Sequence, residues 1–486
     1  MHDDLRRRAL ESGKTVSNKA KSKQSSRASS RANSAPNSRV ASRVQSRDAS
    51  DEEDGGNGNL SDDTNQSINS IDALLESDDF NEQTTEVIRQ ELVDAIADLL
   101  ERKGSSNKSR EDSLTTYVRC LTSHYLAEVL HGRVPELLSA FGRSIKAETS
   151  EKETTLALRA VALTAITFAD HTLYETVSGV LKRSISDSQS LPVKAAGIYA
   201  LGICLCFGGA GEEEISEMMT FLLEIASSDG SFIGADDDPE VVTAALNTYG
   251  FLATQVEDVE DESEDAVAAF LDQLDADDVR VQVAAGENIA LLYEKSYTPR
   301  EDDDDVSSEG EEQHENGVGS SDELGGARDD SGLVKRYNAY HNTHEVVEKV
   351  TALASLSTKS MHRRDKKLLH QSFASISVTV QNPKLGLQSN NASKRVVRVH
   401  REGEMRVDKW WKLMRLNAIR RLLGGGFVNH YFEGNKQVLD ALPMIMRSTG
   451  DDGMRSPRKG ASSKGSKGRF RDNRRFVTGD FLSADE

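Results

Sequence analysis

Cysteine is scarce: Cys120, Cys204 and Cys206 are the only three in 486 residues. That is too few to staple a secreted scaffold, so a reduced, intracellular protein is expected. No apolar run reaches the ~18–20 residues that span a bilayer. The start, Met-His-Asp-Asp, turns basic and Ser-rich without the apolar stretch of a secretory signal. A soluble chain with no membrane partner is the expectation. Enzyme signatures are missing too: there is no Gly-x-x-x-x-Gly-Lys-Ser/Thr loop, no Gly-x-Ser-x-Gly elbow and no His-Glu-x-x-His. Neither a catalytic residue, a cofactor nor a small-molecule substrate is expected. Cys204-Leu205-Cys206 has no Cys or His at ligand spacing and reads as core or groove thiols. His341 and His344, beside Glu345 and Glu348, lack a further ligand cluster and read as a surface helix. Gly424-Gly425-Gly426 lacks the Lys and the preceding strand of a phosphate loop, and reads as a helix stop.

What is present is charge, strongly segregated. The formal net charge is −20, yet residues 1–47 carry 12 basic and 3 acidic groups, and residues 48–80 carry none and 11. Residues 81–299 are acidic (16 against 39), residues 300–330 more densely so (2 against 13), and residues 331–486 basic (30 against 14). A polyanion would therefore meet the ends of the chain rather than its middle. Residues 1–80 hold few apolar side chains and are expected to be a disordered tail, basic then acidic. Within it Arg27-Ala28-Ser29-Ser30 resembles a basophilic kinase site, which makes Ser29 a candidate for phosphorylation. Residues 300–330 read as an acidic disordered loop, where Ser307 precedes acids in the manner of an acidophilic target. Residues 446–486 read as a disordered basic tail, carrying Lys464, Lys467, Arg469, Arg471, Arg474 and Arg475.

From Thr84 the apolar residues fall at helical spacing. Ile88, Leu92, Ile96 and Leu99 form one stripe; Leu114, Tyr117, Val118, Leu121, Tyr125 and Val129 form the next, with Gly132 as its stop. Further helical windows run near 152–169, 170–186, 192–206, 212–227, 239–256, 264–274 and 279–295. No window in residues 81–299 shows the period-2 alternation of a half-buried strand. Leu156, Val193, Val241 and Val279 each precede Ala/Gly-rich turns and an apolar residue ten positions on: Ile166, Ile203, Phe251 and Ile289. Their spacing, about 40 residues, suits armadillo or HEAT units, in which each helix pair buries its face only against the next. Asp277-Asp278-Val279-Arg280 is the best single match. The fold expected is all-α: an armadillo/HEAT-like helical-repeat solenoid over 81–299, its final helix within 331–360, and a small, mainly helical, basic unit over 361–445. Within that unit Phe373 to Val380 alternates and Arg395 to His400 is β-prone, so a small strand pair is expected there.

Residues 394–421 hold the sharpest candidate for binding. Lys409, Lys412, Arg415, Arg420 and Arg421 interleave with Trp410 and Trp411, the chain's two tryptophans. Cations beside stackable rings suit single-stranded or looped RNA. The same pattern also suits a core packed around the tryptophans, because the charges do not share one helical face. The unit ends in a helix from Asp408 to Leu423, the glycine stop, and a short helix with Asn435 as N-cap.

The stretch Asp408-Lys409-Trp410, Arg415, Leu423-Gly424-Gly425-Gly426, His430 and Asn435 resembles the interferon-related developmental regulators. These have an armadillo-like N-terminal domain and a short C-terminal domain, and the likeness runs over roughly 65–445, including the basic-then-aromatic stretch Lys359 to Phe373. The resemblance implies a non-enzymatic regulator of gene expression, cytoplasmic and nuclear. Ribosomes and their rRNA, bound through the C-terminal unit, are one implied partner, with Lys409, Trp410, Lys412, Arg415, Arg420, Arg421, His430 and Asn435 as contacts. Co-repressor proteins in the groove of the repeats are the other.

Overall fold

The computed structural model describes residues 82–101, 104–299, 332–356, 361–386, 395–400 and 403–447, all within the compact unit that starts at Asn59. The expectations for 1–80, for the acidic loop and for the basic tail beyond Arg447, with Ser29 and Ser307, lie outside them; Met446 and Arg447, expected in that disordered tail, instead form a short strand with Ile445.

The helices stack as pairs in two rows. The outer row is α1 (Glu82–Leu100), α4 (Val134–Ala147), α6 (Leu173–Asp187), α8 (Glu212–Ser227), α10 (Glu260–Gln273) and α12 (Thr343–Ser355), with a four-residue α3 (Ala127–Leu130) between the first two. The inner row is α2 (Asn107–Ser123), α5 (Glu151–Thr167), α7 (Leu191–Phe207), α9 (Pro239–Ala253), α11 (Val279–Lys295) and α13 (Arg363–Gln381). Each inner helix packs on its outer partner and on the inner helix before and after it. This is the all-α solenoid that the repeat spacing predicts, and the four register positions with their apolar partners fall on α5, α7, α9 and α11.

Local chemistry starts five of the six inner helices, α2 to α11, at their places. Ser106, Ser150, Ser190, Asp238 and Asp278 are N-caps whose side chains accept a backbone N–H of the first turn, each worth about 1 kcal/mol. Glycine lets the row close up. A Cβ on Gly250 of α9 would lie 2.2 Å from the Asn288 amide oxygen of α11, so a larger residue there would displace the Asn288 side chain that donates to the Leu246 carbonyl. Polar residues tie the turns. Lys194, buried in α7, donates to the carbonyls of Ile185, Ser186 and Ile233 at 2.9, 3.0 and 2.6 Å.

Three expectations need correction. The strand expected at Phe373 to Val380 is part of α13, where Leu369, Phe373, Ile376 and Val380 are buried at helical spacing; the three- and four-residue period outweighs the superficial alternation. The strand at Arg395–His400 exists, but its antiparallel partner is Gly403–Val407, which also pairs with Ile445–Arg447. The second helix also stops earlier than its stripe suggests, at Ser123, because His124 turns extended. There the Glu433 carboxylate accepts the Tyr125 N–H at 2.6 Å and bonds His124 Nδ1 at 2.8 Å.

Candidate functional site

The basic C-terminal segment lies against the inner row. Helix α14 (Trp410–Leu423) packs on α2, α5, α9 and α11, then turns through Gly424–Gly426 into α15 (Phe427–Phe432) and α16 (Lys436–Ala441). Its sequence explains the docking: Trp410, Leu413, Leu416, Ile419 and Leu423 form a stripe with no surface left in solvent, each side chain contributing roughly 1.5–3 kcal/mol of burial.

Both ends of α14 meet charges of the complementary sign. At its start the Glu294 carboxylate, from α11, accepts the Trp410 N–H at 2.9 and 3.1 Å and the Trp411 N–H at 3.4 Å. At its end Arg159 of α5 donates to the Leu422 carbonyl at 2.8 Å. An acid at the N-terminus and a cation at the C-terminus both favour the helix dipole. Burial lifts the Glu294 carboxyl to about 7, against the opposing pull of Lys409 and of the two tryptophan N–H groups.

The segment in turn caps the inner row. Helix ends leave carbonyls without intrahelical partners, and the C-terminal residues supply donors to them. Arg415 donates to the Thr254 carbonyl and hydroxyl, at 2.6 and 3.0 Å, where α9 ends. His430 Nε2 donates to the Leu121 carbonyl at 2.8 Å, near the end of α2. Asn435 donates to the Ile166 carbonyl of α5 at 3.1 Å and to His430 Nδ1 at 3.0 Å, while its oxygen caps α16. That pattern fixes His430 as neutral, one nitrogen donating and the other accepting, and burial pulls its imidazole down to about 4. A Cβ on Gly426 would stand 1.8 Å from the Thr122 carbonyl oxygen, so the glycine run is also a close approach.

Of the residues singled out in the sequence, Trp410, Arg420, His430 and Asn435 are buried. The Trp410 indole N–H donates to Thr379 Oγ1 at 2.8 Å. Arg420 has no hydrogen-bond acceptor among the described residues; its guanidinium lies 5.6 Å from the Phe427 ring centre, and desolvation lowers its pKa. Arg415 is half-buried, Lys412 is paired with Asp408 at 2.6 Å, and Lys409 stands half-buried at the N-cap of α14. Arg421 remains exposed, 4.4 Å over the Tyr199 ring. Glu294, Arg159, Thr254, Thr379 and Glu433 complete the arrangement and were not foreseen; an acid inside the apolar run Ile289–Lys295 was the available signal for Glu294.

Two features stay open to solvent. A cavity of about 280 Å³ lies between α5, α7, α9 and the C-terminal half of α14, with Leu156, Ile203, Phe251 and Leu422 among its walls and Arg159 and Arg421 beside them. At the start of α13, Arg363, Arg364 and Lys367 are exposed around Asp365. Among the described residues no three His, Cys, Asp or Glu are grouped to hold a metal ion. Burial pushes the Cys204 and Cys206 thiols up, away from reactivity. No described helix is long and apolar enough to cross a membrane.

The family model described as interferon-related developmental regulator matches residues 58–381. An uncharacterised protein of Schizosaccharomyces pombe is 28% identical over 345 residues, covering 70% of this chain and 72% of that protein.

Proposed function

Because the chain belongs to the interferon-related developmental regulator family, a family of non-catalytic regulators of gene expression, we propose that it acts by binding ribosomes through their RNA, with the basic start of α13 as the contact. One observation carries this reading. Arg363, Arg364 and Lys367 stand exposed in the opening turns of a 19-residue helix, at the end where the dipole is positive and cations are unfavourable. Asp365 is the acid of that first turn, one carboxylate among three exposed cations, and a phosphate brought there meets both those cations and the positive end of the helix. The sequence beyond Arg447 adds further cations, Lys464 to Arg475. The cations of α14 do not support the reading in the same way, since Arg415 and Arg420 face the protein itself.

Sedimentation of a cell lysate through sucrose gradients at low and high salt tests it. The wild type should travel with ribosomes or their subunits at low salt and leave them at high salt, because each neutralised phosphate releases counterions. Arg363→Glu/Arg364→Glu/Lys367→Glu should remain at the top while melting as the wild type does. A wild type that stays at the top under every condition refutes the reading. A second reading, an adaptor in the nucleus that holds a co-repressor protein, is favoured by the open cavity of the inner row.

A further inference from the structure

We propose that the cavity between α5, α7, α9 and α14 is a docking site for a short peptide segment of a partner protein, an apolar side chain flanked by one or two carboxylates. The inference rests on the adaptor reading and gives it a ligand chemistry; the ribosome reading does not depend on it.

The walls set the apolar half of the ligand. Leu156, Ala200, Ile203, Phe251 and Leu422 enclose about 280 Å³, room for one large apolar side chain. Pockets of this kind take an anchor by hydrophobic burial and orient it with a few placed polar groups. The polar groups here are two guanidiniums. Arg421 is exposed and stacks on Tyr199 at 4.4 Å. Arg159 uses one nitrogen on the Leu422 carbonyl and has further N–H donors to offer. Both are held before any ligand arrives, so little side-chain freedom is lost on binding. A guanidinium matches a carboxylate in two parallel hydrogen bonds.

Charge also limits the ligand. The repeats around this spot carry 16 basic against 39 acidic residues over 81–299. A nucleic-acid strand, with a charge at every step, brings more negative charge against that acidic body than two arginines offset. A peptide with its acids confined to the positions beside the anchor does not. One wall, Ala418, Arg421 and Leu422, belongs to α14, so the site is complete only with the C-terminal segment docked.

Selection of phage-displayed random 12-residue peptides on the full chain tests the proposal, followed by fluorescence polarisation of the selected peptides. The expected consensus is one large apolar residue with Asp or Glu within three positions. Arg421→Glu and Ala196→Phe, which reverses the charge and fills the half-buried cavity wall, should each weaken the selected peptide about tenfold or more. Thermal melting of each variant shows that the fold is intact, and Arg363→Glu/Arg364→Glu/Lys367→Glu should bind the peptide as the wild type does. No consensus, a basic consensus, or equal binding to Arg421→Glu overturns the proposal. So does an oligo(U) RNA whose binding Arg421→Glu abolishes. Failure here leaves the gradient result untouched, and the reverse holds too.

Discussion

Glu294 and His430 are buried titratable residues that hold the two ends of the docked segment, and they respond to pH in opposite senses. Glu294 is lifted from its ordinary 4.5 to about 7, so the folded chain keeps a proton that the unfolded chain has lost, and its contribution falls as pH rises across that window. His430 is pulled from 6.5 to about 4, so the unfolded chain binds the proton first, and its contribution is lost as pH falls from 6.5 to 4. Between 4.5 and 6.5 the two slopes nearly cancel. Unfolding measured from pH 4 to 7 checks this. Glu294→Gln should gain on the wild type by about 1.4 kcal/mol per pH unit as pH rises from 4.5 to 7, and His430→Gln should lose on it at the same rate from 4 to 6.5. Parallel curves for variant and wild type contradict the assignment.

At the scale of the element, α14 through α16 behave as a strip that caps helix ends, and its fit depends on the turn at Gly424–Gly426. Gly426→Ala places a methyl against the Thr122 carbonyl, so the turn must move away from α2. The expected cost is about 3 kcal/mol, at the upper end of overpacking. Gly142→Ala, inside α4 with open space around its Cβ, should stabilise by about 0.5–1 kcal/mol. Chemical denaturation of the two variants compares them directly. This is also where the sequence was most and least legible. The helices could be read because stripes such as Leu114, Tyr117, Val118 and Leu121 repeat at 3.6 residues and Ser or Asp stands before each inner helix from α2 to α11. The unusual segment could be read from Trp410 to Asn435. The direction it faces could not, since Trp410 finds its cap on Glu294, 116 residues earlier, and a charge pattern spread around a helix does not record which side meets the protein. Arg415 and Arg420 look alike in sequence to cations for RNA, and differ only in what the inner row places against them.

Over the whole molecule, stacked repeats contact only their neighbours and are expected to fray from the ends. The docked segment changes that, because one helix touches α2 near the first end and α11 near the last. Removing residues from Trp410 onward should split a single unfolding transition and expose α2, α5 and α9, which α14 covers, to exchange. Hydrogen exchange on the truncated and full chains reads this out, and identical protection of α2, α5 and α9 in both would contradict it. The same helix is a ruler. Its 14 residues are about 21 Å long at 1.5 Å per residue, and its two end contacts are on α5 and α11, about 24–30 Å apart at three helix spacings, a span that the helix covers together with the reach of the Arg159 and Glu294 side chains. Inserting or deleting one repeat between them would leave one end of the ruler short, so this chain cannot lengthen its body by duplication as other repeat proteins do without lengthening α14 in step.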